Sequence, residues 1–249
     1  MKHYLLPLNY RSGWHDWKGG LLLPCYKKEC LQRLESLISN QTFHYNETNS
    51  LKILVDCYRH SWLHRAVHLY RVMFELQKSP SIVALTIARP FLEHVIVFIE
   101  YMRIIKNNDA KNCEQIRSLL LSLGEKTKNK EFLESQESTT AEQTNIKTIL
   151  EKITEKPKVR LFFENYFKEE IDNLQSQYDV LSEYIHPSSL STIHHFSNIN
   201  PANKKIELYK DGSQETIEEF QKCLEYILVF ENAYKDSEKI FNDAIRSIK

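Results

Sequence analysis

The stretch Ser81–Met102, SIVALTIARPFLEHVIVFIEYM, decides the fold. Its apolar residues, among them Ile82, Leu85, Phe91, Leu92, Val95, Ile96, Phe98 and Ile99, fall on every face of a helical wheel, so a helix here has to be wrapped by other helices. Arg89, Pro90, Glu93 and His94 interrupt its middle, whereas a membrane span needs roughly 18 or more predominantly apolar residues in a row. The stretch is expected to be the central helix of a bundle and not a membrane span. Arg89 and Glu93 stand four residues apart, on one face, where they can satisfy each other. Burying such a pair costs free energy that two leucines would not, which singles it out as a candidate for function.

Working outward, 3-4 spacing of apolar residues predicts further helices over 24–39, 49–78, 111–123, 159–185 and 216–248. Ser79-Pro80 ends the second of these, Gly124 caps the third, Pro157 opens the fourth and Pro187 stops it. Residues 1–23 show no period and read as an irregular N-terminal arm; 125–147, rich in Glu, Lys, Ser and Thr, reads as a mobile polar insertion. A short hairpin is expected near 204–215, with Asp211-Gly212 as its turn. The fold class is all-α, a single helical domain over 1–249 built as a bundle of long antiparallel helices.

Composition agrees. Five glycines and seven prolines in 249 residues are too few breakers for an all-β fold, and no Gly-rich phosphate loop exists. Lys plus Arg equals Asp plus Glu at 33 each, so no global basic field draws nucleic acid, and any such contact needs a local face such as Lys156, Lys158 and Arg160. Five scattered cysteines fit reduced thiols better than a disulfide framework or a zinc knuckle. The first twenty residues carry no apolar run of signal-peptide length, and the expected location is the cytoplasm.

Three constellations carry chemistry. In YDVLSEYIHPSS, Tyr178, Ser182 and His186 rise along one helix face, with His186 at the negative end of the helix dipole, a candidate acid or base. Asp179 lies about 10 Å along the axis from His186, too far to orient its imidazole in a nucleophilic triad. Asp56, His60, His64 and His68 form a ladder at four-residue steps. Two such histidines can share a metal, yet the third drifts about 80° from the first, so a polar face paired with carboxylates is the better reading and no metal or other cofactor is expected. The spacing Arg, four residues, His occurs as Arg59 to His64 and Arg89 to His94, but residues five apart point about 140° apart on a regular helix.

The run HRAVHLYRVMFELQKSPSIVALTIARPFLEHVIVFIEYM followed by YDVLSEYIHPSS resembles a prokaryotic helical family of unknown function marked by an Arg-x-x-x-Glu core helix and a Leu-Ser-x-Tyr-x-His-Pro helix end. Here these are Arg89 with Glu93, and Leu181, Ser182, Tyr184, His186 and Pro187. That family is distantly similar to the HEPN superfamily, helical domains that are often metal-independent endoribonucleases of toxin–antitoxin and anti-phage systems. The resemblance implies an RNA-cleaving homodimer in which Arg89 binds phosphate, His186 is acid or base, and Glu93, Tyr178 and Ser182 orient them. Its implied partners are RNA and an antitoxin or regulatory protein. The HEPN arrangement of Arg, a polar residue and His within a few residues is matched by Arg59-His60 with His64, which, with His94, are secondary candidates. The competing expectation is a non-catalytic module that binds a partner protein or small effector, with Arg89, Glu93 and His186 as a structural network.

Overall fold

The computed structural model describes residues 22–38, 50–77, 82–107, 146–186, 197–200, 202–208 and 214–247. They form an all-α bundle with one small hairpin. The helices are α1 (Leu22–Ser36), α2 (Ser50–Leu76), α3 (Ile82–Lys106), α4 (Ile146–Glu155), α5 (Pro157–Phe167), α6 (Leu174–Ile185), α7 (Gln214–Cys223) and α8 (Tyr226–Ser247). Strands β1 (Ser197–Asn200) and β2 (Lys205–Leu208) pair antiparallel.

The quoted stretch is the central helix. From Ala84 to Ile105, α3 buries residues on most of its faces, and α2, α4, α5, α6, α7 and α8 all pack on it. Length and composition alone would let α3 cross a membrane; its surroundings are those of a core helix instead. The short link after α2 makes the α2–α3 pair antiparallel. Pro90 lies inside α3, where a proline removes one backbone hydrogen bond and costs about 3 kcal/mol, and the helix continues through it under the packing of its neighbours.

Two predicted helices are each broken in two. The stretch 159–185 holds α5, a 3-10 turn over Lys168–Asn173, and α6. Lys168 adopts φ 51, which a side chain disfavours, while its N–H closes α5 on the Glu164 carbonyl. Arg160 binds Glu164 at 2.8 Å and Asp172 at 2.6 Å. Twelve residues would span about 18 Å in one straight helix, so the second ion pair exists only because the chain turns back. The stretch 216–248 breaks at Leu224-Glu225. There Tyr70 of α2 donates its hydroxyl to the Leu224 carbonyl at 2.9 Å, and Lys27 of α1 reaches the Gln221 carbonyl and the Glu225 carboxylate. Side chains from other helices take over acceptors at the helix end.

The hairpin is displaced from its predicted place. Lys205–Leu208 pairs backward with Ser197–Asn200, not forward across Asp211-Gly212, and the described turn residues are 202–204, where the Asn203 N–H donates to the Asn200 side chain. This Asx-type turn does the work expected of Asp211-Gly212, two residues that lie outside those described. Residues 22–23 of the predicted arm are helical, as are 146–147 of the predicted insertion. The rest of the arm, the rest of the insertion and the predicted helix over 111–123 lie outside the described residues.

Candidate functional site

Arg89 and Tyr178, 89 residues apart in sequence, meet where α3 packs on α6. Arg89 and Glu93 sit one helical turn apart, and Arg89 Nη2 lies 3.2 Å from Glu93 Oε1. The same Nη2 donates to the Tyr178 hydroxyl at 2.9 Å, and that hydroxyl donates to Glu93 Oε1 at 3.2 Å. The guanidinium also lies over the Tyr178 ring, 5.1 Å from its centroid, a cation–π contact. Burial pushes the phenol's pKa up, Arg89 pulls it down, and Glu93 adds to the rise. The phenol therefore stays protonated near neutrality and bridges cation to carboxylate.

The pair is less buried than its place in an apolar helix predicts. The side chains of Arg89 and Glu93 are 22% and 33% exposed. They occupy the margin of the α3–α6 contact, where water still reaches both charges and lowers the cost of keeping them there. Arg89 Nε is the exception, buried with no hydrogen-bond partner among the described residues.

Ser182 and His186 do not join this cluster as the motif implies. Ser182 turns back on its own helix and donates to the Tyr178 carbonyl at 2.7 Å. His186 is the exposed C-cap of α6, extended at φ −99 and ψ 150. It follows Tyr178 by eight residues, about 12 Å along the axis, and a helical side chain leans toward the N-terminus, so the phenol points away from it. Arg89 reaches the phenol, while His186 stands about 12 Å further along the helix axis.

The secondary candidates face elsewhere. Arg59 points to α8, where it donates to Ser237 Oγ at 3.0 Å, lies over Tyr234 and approaches Glu238 at 3.7 Å. His64 stacks on His68 with ring centroids 6.5 Å apart. His60 is half-buried, and burial followed by the Arg59 charge lowers its pKa. Among the described residues no group of three or more His, Cys, Asp or Glu converges as a metal site would. His94 is buried between α2 and α8. Its Nε2 donates to the Trp62 carbonyl at 2.8 Å, and its ring stacks on Trp62 and meets Phe230. Burial drives its pKa down to about 3, so it is a neutral core histidine unsuited to proton transfer near neutrality. Both Arg-to-His pairs thus diverge, as five-residue spacing on a helix requires. Of the basic face, Arg160 is occupied by Glu164 and Asp172, leaving Lys156 and Lys158 exposed.

Two polar networks were not read from the sequence. Gln177, beside Tyr178, donates to Glu219 at 2.5 Å and accepts from the Tyr226 hydroxyl, tying α6 to α7 and α8. Glu231 of α8 accepts from Arg33 at 2.7 and 2.9 Å, from the Cys30 thiol at 3.1 Å, and lies 2.9 Å from Lys235. The available sign was a polar residue in the apolar phase of an amphipathic helix: Gln177 among Leu174, Tyr178 and Leu181, and Glu231 among Ile227, Phe230 and Tyr234. Compared with known proteins, the chain matches no family model, no curated protein and no solved structure.

Proposed function

We propose that this chain is a non-catalytic helical module that binds a partner protein or small effector, with Arg89, Glu93 and Tyr178 as the polar cluster that fixes how α3 and α6 meet. One observation carries the reading: the three groups hold one another, while the histidine that an acid–base mechanism needs lies two turns beyond them. Such a cluster sets helix register, because sliding α6 by one turn would carry the Tyr178 hydroxyl away from both charges. The test is incubation of the parent and His186→Ala proteins with total cellular RNA in chelator, with fragment ends mapped. The expected result is no cleavage by either folded protein. Cleavage by the parent alone, leaving cyclic-phosphate ends, would overturn the module.

A second reading is favoured by one feature, the buried Arg89 Nε that no described residue engages beside a guanidinium that still reaches the surface. On this reading the chain is a HEPN-like, metal-independent endoribonuclease of a toxin–antitoxin or anti-phage system, acting in the cytoplasm as a homodimer. Arg89 would hold the scissile phosphate, and His186 of the second subunit would serve as acid or base. The same RNA experiment separates the two, and Arg89→Ala should then abolish cleavage together with His186→Ala.

A further inference from the structure

All four residues of β2 are exposed, and Ile206 and Leu208 expose 65% and 81% of their surface. Side chains alternate along a strand, so Ile206 and Leu208 share one face and Lys205 and Glu207 the other. Among the described residues the sheet has only two strands, β1 and β2, which leaves the other edge of β2 without a strand beside it. A two-stranded hairpin is marginal alone in water, and an edge strand with apolar side chains is a template for another strand.

We propose that β2 is a self-complementary interface through which a second copy of this chain docks, the two β2 strands running antiparallel about a two-fold axis at Ile206. A two-fold axis normal to the sheet keeps each residue on its own face, so a strand can pair with itself only in registers that oppose residues of the same face. Centred on Ile206, the pairing sets Ile206 against Ile206 of the partner subunit. It also sets Lys205 against Glu207 of the partner subunit, and by symmetry does so twice. Lys205 and Glu207 are both exposed and form an ion pair within the strand at 2.5 Å, so the charges already stand on the surface the second copy would meet. The adjacent allowed register, centred on Glu207, opposes two carboxylates, which is unfavourable. Charge pattern therefore selects both the occupant and the register: the strand is complementary to its own reverse. Four residues a side fall short of the roughly 1,000 Å² that a stable interface buries, so the dimer forms reversibly with concentration. This interface does not depend on what the α3–α6 cluster binds.

The experiment is sedimentation of the full chain over a wide concentration range, with the hairpin charges exchanged. Lys205→Glu and Glu207→Lys should each weaken self-association by about tenfold, since each turns two attractive cross-strand pairs into repulsive ones. The double exchange K205E/E207K should restore it. A geometric test runs beside it under mild oxidation with oxidised glutathione. Ile206→Cys should cross-link two chains much faster than the parent or Leu208→Cys, because the two Leu208 positions lie about 13 Å apart along the strands in this register. A parent that stays monomeric at every concentration overturns the proposal and leaves the edge to an extended segment of another protein. Equal cross-linking at 206 and 208, or a dimer indifferent to the charge exchanges, overturns it too, by placing the contact elsewhere.

Discussion

Arg33–Glu231 and Arg89–Glu93 are two Arg–Glu pairs that stand at helix contacts, and they are built to opposite specifications. At the α1–α8 contact the Glu231 side chain is 4% exposed and meets Arg33 through both oxygens, with Lys235 and the Cys30 thiol completing its shell. Burial alone would raise this carboxyl's pKa, but hydrogen bonds from Arg33, Lys235 and Cys30 outweigh it and hold the pKa down at about 2. The Cys30 thiol pays in the other direction, its pKa pushed far up by burial and by Glu231. At the α3–α6 contact both partners are partly wet, only a phenol joins them, and one guanidinium nitrogen has no described partner. A saturated buried carboxylate is a rivet, whereas a half-open pair with a spare donor is a surface on which something else can act.

The rivet should show the largest effect. Glu231→Gln keeps the size of the side chain and removes the charge that Arg33 and Lys235 face, and we expect a loss of about 3 kcal/mol in chemical denaturation at pH 7. The pH dependence gives the sign independently. A carboxyl whose pKa falls from 4.5 in the unfolded chain to about 2 in the folded one contributes stability above pH 4.5 and loses it as the pH drops toward 2. The Gln variant should therefore lose stability less steeply than the parent across that window. Parallel curves would show that Glu231 is not the group that titrates, and the contrast between the two pairs would fail.

His94 should come next, on the other side of α3 from the open cluster. Its neutral ring is locked to the Trp62 carbonyl, and its pKa drops from 6.5 to about 3 on folding. The unfolded chain binds a proton that the folded one refuses between these values, so stability rises with pH across the window and is lost as pH falls below 6.5. Between pH 7 and 5 this amounts to about 2 kcal/mol. Nuclear magnetic resonance should find the His94 ring still neutral at pH 5. A ring already charged at pH 5 would mean that the wall between α2, α3 and α8 is open to water.

How far these sites were legible follows from what a periodic pattern can carry. The all-round apolarity of 82–105 could only be a wrapped helix, and four-residue steps put Arg89 with Glu93 on one face. The meeting with Tyr178 was readable as soon as the two helices were placed side by side. For His186 a shared face says nothing of the rise along it, which separates i from i+8 by about 12 Å. The breaks at Lys168 and Leu224 were invisible for a related reason: the apolar steps Phe167, Ile171, Leu174, Tyr178 continue across the turn without losing phase. Asp172 reaching Arg160 and Tyr70 reaching the Leu224 carbonyl accompany those breaks, contacts that exist only once the chain has folded.

The smallest expected effect is the one that tests the open pair itself. Arg89→Ala leaves Glu93 and the Tyr178 hydroxyl without their cation, but water reaches both, so the loss should be about 1–2 kcal/mol, below that of Glu231→Gln. Tyr178→Phe removes one hydroxyl that bridges Arg89 and Glu93 and should cost about 1 kcal/mol. Because both changes break the same hydrogen bond, the double variant should cost less than the sum of the two by about 0.5 kcal/mol or more. Coupling of that size would mark the cluster as one unit, weaker than the rivet because it is open. If the two losses simply add, the three side chains stand near one another without holding α3 to α6, and the reading of Arg89 as a register-setting residue falls. If Arg89→Ala instead costs more than Glu231→Gln, exposure is the wrong measure of which pair is structural.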